Sequence, residues 1–416
     1  MGGGEINLSL LAQALAKNNQ EVHVLTSIHK NLATYEEINQ VKIYRRLKTA
    51  ENPSTFSNNL KRYHTFPKSL TPEIRTLAEE IKPNLIHFIG TSIIAAQSIK
   101  HDPITKNIPL FATIESYPTL CPKGDRIYQG KQECKEICTY KKFTSCQRNS
   151  TEIGKMQNKI YLKYNPLFHH YLYQHYRKLN QNLKHCHLIA ISKYIQTLLE
   201  QQSLQSIVIP NSINQTSFQI SKNTENKKIK NNRPHLLYVG SLTTFKGPQI
   251  ILKAIKGLNC HLDIYGEGNL KQQLQNEIDK NNLDATIHLP VSYDKMPEIY
   301  NNAEIIIFPS IWPEPFGRIA IEGMMSGKIV VGSNIGGIKE TLEENNGILF
   351  TPGNSEELNT ILYNLINKKV ESLPSPKELQ KQGALKYSEE IVINKLMETY
   401  QTFLGNVEKV QITTNS

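Results

Sequence analysis

No Asp-x-Asp triplet occurs anywhere in the sequence, so a carboxylate pair gripping a divalent cation on a diphosphate is not to be expected. No G-x-G-x-x-G follows an apolar run, which argues against a nicotinamide dinucleotide site. Apolar runs stay well short of the roughly 20 residues that cross a bilayer, and the N-terminus lacks the basic flank and cleavage site of a secretory signal. A cytoplasmic setting is the default expectation. Acidic residues are outnumbered, 37 against 48 Lys and Arg, which leaves a net charge of +11. No internal repeat at solenoid periods is visible.

What is present suits two α/β domains in 416 residues. The excess charge is local: between Lys123 and Lys184 there are 13 Lys and Arg against four acids, 13 − 4 = +9. The Tyr-rich stretch from Tyr161 to Arg177 in this region reads first as an amphipathic helix packed on its own domain. Contact with an anionic acceptor, or with the inner face of the cytoplasmic membrane, stays open as an alternative. No nucleic-acid motif accompanies it.

Strands are predicted at 22–26, 85–89, 110–114, 188–191 and 207–209, with helical stretches between them. A second series follows at 236–239, 261–265, 286–289, 305–308 and 329–331. This alternation predicts doubly wound parallel sheets. We expect a first domain over 1–213 with a Cys-bearing basic insertion at about 121–184, a polar linker at 214–233 and a second domain over 234–386. A terminal helix and polar tail over 387–416 complete the chain.

The most informative segment is Ser310–Gly327, S-I-W-P-E-P-F-G-R-I-A-I-E-G-M-M-S-G. An apolar strand runs into a Pro-rich loop, and a helix is predicted to start around Phe316 and Gly317. Unpaired N–H groups and the positive end of the dipole at such a start suit a pyrophosphate. Glu314 stands just before the helix and Glu322 is placed two turns into it, about 12 Å away along a helix rise. That span approximates a nucleotide-sugar from ribose to hexose. The plainer reading makes Glu314 a cap and Glu322 a solvated side chain.

This segment resembles the Glu-x7-Glu motif of the family 4 retaining glycosyltransferases. The resemblance implies the GT-B fold, two Rossmann-like domains facing across a cleft, with the last helix crossing back to the first domain. It assigns the transferred sugar to Glu314 and the ribose to Glu322, with Phe316, Gly317 and Arg318 at the phosphates. Gly240-Ser241-Leu242 with Lys246-Gly247 is similar to the family's G-R-L-x-x-x-K-G element. Lys246 matches as a diphosphate cation, whereas Ser241 replaces the usual Arg and shifts that burden toward Arg318. Gly266 and Gly268 resemble the family's turn near the base, and Gly336-Gly337 with Glu340 its donor-side turn. Read without the family, all four glycines are turn punctuation.

In the first half, Gly2-Gly3-Gly4-Glu5 resembles a glycine-rich turn near the donor phosphates, which assigns Gly3 and Gly4 to donor binding. That turn normally follows a strand, so the first N-terminal strand is expected to be missing here. Thr113 to Pro122 resembles a segment that usually carries His-Asp, where this chain has Glu115 and Ser116. Glu115 is assigned to hydrogen bonding with a donor or acceptor hydroxyl. Cys121, Cys134, Cys138 and Cys146 are spaced C-x12-C-x3-C-x7-C, and some family members carry a similar insertion. The thiols fit zinc, an iron–sulfur cluster, disulfides or free and redox-active cysteines, and a cytoplasmic chain disfavours disulfides.

The resulting expectation is a retaining, metal-independent, hexosyltransferase-like enzyme of polysaccharide biosynthesis. No cofactor is required for catalysis. It would use a nucleotide-diphosphate sugar and a saccharide, lipid-linked or small-molecule acceptor, with Glu314, Lys246 and Glu115 as catalytic residues. The alternative is a catalytically weak scaffold for another transferase, motivated by Ser241, Glu115 and the missing strand.

Overall fold

The structure is a computed structural model that describes residues 3–49, 56–149, 163–214, 218, 233–370 and 372–404. Most of the expected linker, part of the Cys-bearing insertion (150–162) and the tail beyond 404 lie outside the described residues. The chain divides into two compact units, Met1–Ser212 with Val392–Ser416, and Ile213–Ile391.

In the first unit, the helix Gly3–Lys17 precedes β1 (Val22–Ser27), β2 (Tyr35–Ile38) and β3 (Val41–Leu47). β3 pairs parallel with β1 and antiparallel with β2. Asn39 and Gln40, at φ 51° and 66°, make the two-residue loop between β2 and β3, the left-handed pair such a hairpin requires. Gly3 and Gly4 were expected in a turn, but they form the first turn of the helix itself. No strand precedes Val22 among the described residues.

A second sheet has the parallel order β4 (Ile86–Ile89), β5 (Leu110–Ile114), β8 (His187–Ala190), β9 (Ser206–Val208). Between β5 and β8 lie a small hairpin, β6 (Ile127–Tyr128) with β7 (Gln132–Glu133), and the helices Tyr140–Asn149 and Pro166–Asn182. The side chain of Asn165 caps the latter by accepting from the N–H groups of Leu167 and Phe168 ahead of Pro166. Its apolar face, Phe168, Leu172, Tyr176 and Leu179, is buried.

The terminal helix Glu389–Leu404 places Val392, Ile393, Leu396 and Tyr400 in one core with Leu85, Phe111 and Ile189. The Tyr400 hydroxyl lies 2.6 Å from Nδ1 of His87, whose Nε2 is 2.7 Å from Thr113 Oγ1. Burial drops the His87 pKa to about 3, so this core histidine is neutral.

The second unit is a six-stranded, fully parallel sheet in the order β12-β11-β10-β13-β14-β15. The strands are β10 (His235–Val239), β11 (His261–Tyr265), β12 (Ala285–His288), β13 (Ile305–Phe308), β14 (Ile329–Ser333) and β15 (Ile348–Phe350). β13 is buried along its whole length, as a strand covered on both faces must be. Counted from β10 the order is 3-2-1-4-5-6, and it reverses between β10 and β13. In open α/β sheets a ligand crevice forms beyond the carboxyl ends of the strands at that reversal.

Candidate active site

Sequence-chosen residues of the second unit gather at the carboxyl ends of β10 and β13. β10 leads through Gly240-Ser241-Leu242 to a 3-10 turn, Thr244–Lys246, and β13 leads through Pro309-Ser310 to Glu314. The two loops are bonded to each other. The Phe245 carbonyl accepts from the Ile311 N–H at 2.9 Å, the Trp312 N–H at 3.2 Å and the Ser310 hydroxyl at 3.1 Å. Only glycine fits at 247, because its φ is +76° and a Cβ there would lie 2.0 Å from the Pro309 carbonyl oxygen.

This stapling brings Lys246 Nζ to 2.5 Å from Glu314 Oε1 and 4.4 Å from the centre of the Trp312 ring. Glu314 is 7% exposed, so its carboxylate is held by a partly desolvated cation. Gly336 and Gly337 support the same loop from β14. The Gly337 N–H donates to the Glu314 carbonyl at 2.7 Å, and a Cβ on Gly336 would meet that carbonyl at 2.6 Å.

The helix Arg318–Met325 starts at Gly317, φ +105°, with no side chain capping its first turn. Its start at Arg318 puts Glu322 one turn in, which corrects the expected two turns. Glu314 lies in the preceding loop, so the two acids are not separated by a helix rise. Glu322 is 3% exposed, and is not the solvated side chain of the plainer reading. Its Oε1 accepts from the Tyr293 hydroxyl at 2.9 Å and Arg318 Nε at 2.7 Å, and its Oε2 from the Tyr300 hydroxyl at 2.9 Å. Arg318 Nη2 also donates to the Tyr293 oxygen at 2.6 Å. Burial opposes the Arg318 charge, but Glu322 and Tyr293 outweigh it and raise its pKa. Burial, with Glu322 beside them, keeps both tyrosines protonated.

The remaining sequence-chosen residues serve different ends. Gly266 and Gly268 permit backbone contact, since Cβ atoms there would lie 1.9 Å from the Gly240 carbonyl oxygen and 2.3 Å from that of Leu242. Ser241 is exposed, and its carbonyl accepts from the Tyr238 hydroxyl at 2.8 Å. The Phe316 side chain is buried against Tyr387. In the first unit Gly4 and Glu115 meet, a Cβ on Gly4 falling 3.6 Å from Glu115 Oε2, with Gly3 beside them in the same helical turn.

Tyr293 and Tyr300 were not legible as site residues, because nothing in their spacing ties them to Glu322. A cleft of about 730 Å³ in the first unit, lined by Leu8, Thr26, His29, Lys30 and Arg45 among others, was likewise unsignalled. At the amino ends of β10 and β11, donor atoms of His235, His261 and Asp263 lie within 4.8 Å of one another. These groups already have polar partners, with His261 Nδ1 at 2.7 Å from Asp284, His261 Nε2 at 3.3 Å from Asp263 and His288 Nε2 at 2.6 Å from Asp263.

The four cysteines of the insertion are free thiols. Cys121, Cys134 and Cys146 are buried and Cys138 is partly so. Burial pushes the Cys138 thiol up to about 12, with the other three thiols adding to the shift, so all four share one neighbourhood.

Residues 219–386 match the family model described as Glycosyl transferases group 1. Over 385 residues the chain is 24% identical to an uncharacterized glycosyltransferase of Methanocaldococcus jannaschii, covering 86% of this chain and 83% of that one. Sucrose-phosphate synthase from Thermosynechococcus elongatus is similar in structure at TM-score 0.73 and 18% identity, covering 98% of this chain and 94% of that one. HepE of Anabaena, solved in complex with UDP-glucose, gives 0.65 at 17% identity, over 97% and 96%. No helix among the described residues is long and apolar enough to cross a membrane. The chain therefore has the GT-B fold, and the group 1 glycosyltransferase model matches its second unit.

Proposed function

We propose that the protein is a retaining glycosyltransferase that moves a sugar from a nucleotide-diphosphate donor to a saccharide, lipid-linked or small-molecule acceptor. The observation that carries this reading is the Lys246–Glu314 pair, held at the switch point of the sheet beside the uncapped start of the helix Arg318–Met325. The UDP-glucose held by HepE supports a nucleotide-sugar donor.

The donor diphosphate lies over the first N–H groups of that helix, and Lys246 turns from Glu314 to the phosphates as a point cation. Glu314, freed of Lys246, accepts hydrogen bonds from hydroxyls of the transferred sugar. The ribose diol takes the place of the Tyr293 hydroxyl on Glu322, while Tyr300 keeps the other carboxylate oxygen satisfied. Within the first unit, Glu115, with Gly4 beside it and Gly3 in the same helical turn, offers a carboxylate to a donor or acceptor hydroxyl. Catalysis is positioning plus stabilisation of leaving-group charge, with the departing phosphate assisting deprotonation of the acceptor. Lys246, Arg318 and the helix N-terminus neutralise that charge, so no metal is needed.

The test is a panel of nucleotide-sugars with product anomers read by NMR, with and without EDTA. Turnover with retained configuration, unaffected by EDTA and lost in Glu314→Ala, is expected. Donor binding without turnover across the panel would favour the scaffold reading, and inverted product would refute the mechanism.

A further inference from the structure

The Cys-bearing insertion is built around sulfur. After β5 the chain turns tightly at Cys121-Pro122-Lys123-Gly124, with the Gly124 N–H donating to the Cys121 carbonyl at 3.0 Å and Gly124 at φ +79°. Burial raises the Cys121 pKa, and backbone N–H groups of Arg126, Lys123 and Gly124 beside the sulfur oppose that rise. The β6–β7 hairpin then carries Cys134 back, its N–H donating to the Arg126 carbonyl at 2.6 Å. Cys146, from the helix Tyr140–Asn149, lies under the hairpin. Its sulfur accepts from the Gln129 N–H at 3.2 Å and sits 3.6 Å from the Ile127 carbonyl. Cys138 is fixed from above, where the Tyr173 hydroxyl donates to its carbonyl at 3.2 Å.

Amide donors aimed at sulfur stabilise thiolates rather than thiols. An independent observation concerns Arg126. It is 2% exposed and sits at φ +58°, where a non-glycine residue is strained. Its Nη1 donates to the Glu136 carbonyl at 3.2 Å, but Nε and Nη2 are buried with no partner. A buried guanidinium with two idle donors is costly unless an anion stands beside it. Lys123 and Lys142, with side chains 5% and 18% exposed, border the same hairpin.

We propose that Cys121, Cys134, Cys138 and Cys146 ligate a single iron–sulfur cluster of the [4Fe–4S] type, whose net negative charge is offset by buried Arg126. Four thiolates select zinc or iron–sulfur chemistry. A single zinc ion, with Zn–S bonds of about 2.3 Å, would hold its sulfurs roughly 3.8 Å apart. Among the described residues, no three of these sulfurs lie within 4.8 Å of one another. The wider spread suits a cubane, which separates its ligands farther than one ion does. The cluster's place is structural, tying the hairpin to the two helices that follow it.

The full-length protein, produced with iron and sulfide supplied and purified without oxygen, is assayed for iron, acid-labile sulfide, zinc and visible absorption. About four iron and four sulfide per chain are expected, with broad visible absorption bleached by dithionite. Cys138→Ser, at the most exposed position, should lose most of the iron, and Cys260→Ser should retain it. Arg126→Met should keep the far-ultraviolet circular dichroism but release iron faster to a chelator. One zinc per chain without iron would overturn the cluster. Wild-type protein free of bound metal, with four thiols freely alkylated, would overturn the site altogether.

Discussion

Lys246 and Glu314 are paired in the structure, and on the proposed function each takes a separate partner once a donor is bound. Replacing either should therefore remove a contact to the donor and leave its partner unpaired, at greater cost when the buried Glu314 is the one left. Glu314→Ala and Lys246→Ala should each lower kcat/KM by roughly 10²-fold or more. The double variant should fall well short of the product of the two losses, since the residues act on one another. Tyr293→Phe should lower the donor KM, because it removes the hydroxyl that competes with ribose for Glu322. Tyr300→Phe should raise it by leaving Oε2 without a donor. Both are read from initial rates against donor concentration. Glu314 and Lys246 were legible because each stands in a dense local motif. The tyrosines were not, since they reach Glu322 from 29 and 22 residues upstream with no motif to connect them.

At the level of elements, the site depends on close approach of loops that glycine alone allows. Gly247, Gly266, Gly268 and Gly336 each face a carbonyl oxygen that a Cβ would strike at 1.9–2.6 Å. Gly266→Ala should cost roughly 1–3 kcal/mol of stability and raise the donor KM, because the displaced loop is the one carrying Lys246. Denaturant unfolding and the same kinetic assay check both parts. Glycine at these places was readable as a turn signal, but not which backbone each turn meets, because the meeting partners belong to different strands. The β2–β3 hairpin escaped sequence reading for a different reason: Asn39-Gln40 is a poor advertisement for a left-handed pair beside the usual Asn-Gly. β15 is only three residues long and falls below the length at which alternation carries information.

For the molecule as a whole, the first unit's core closes over His87, and its stability inherits that residue's titration. The folded pKa lies near 3, well below the ordinary 6.5, so below pH 6.5 the unfolded chain takes up a proton that the folded core refuses. Stability is fully present above pH 6.5. It should fall by about 1.4 kcal/mol for each pH unit down toward 3. His87→Gln, which can still bond Tyr400 and Thr113 but cannot protonate, should flatten the thermal midpoint against pH over that window. An unchanged slope would show that other groups govern acid unfolding. The parallel sheets were foreseeable from alternating apolar runs and helical stretches, whereas their strand order and switch point were not, because alternation does not fix which strands pair. The hairpin sheet of β1–β3 was only partly foreseeable, and the Cys-bearing insertion offered its sulfurs but not their arrangement.

The ion pair at the switch point also bears on how a catalytic cycle ends. On the proposed function, a spent nucleoside diphosphate would still occupy Lys246 but no longer offer Glu314 a sugar, stranding a carboxylate only 7% exposed. The return of lysine to glutamate would then help eject the by-product. UDP alone should bind less tightly than an intact sugar nucleotide, and Glu314→Gln, which carries no charge to strand, should narrow that gap.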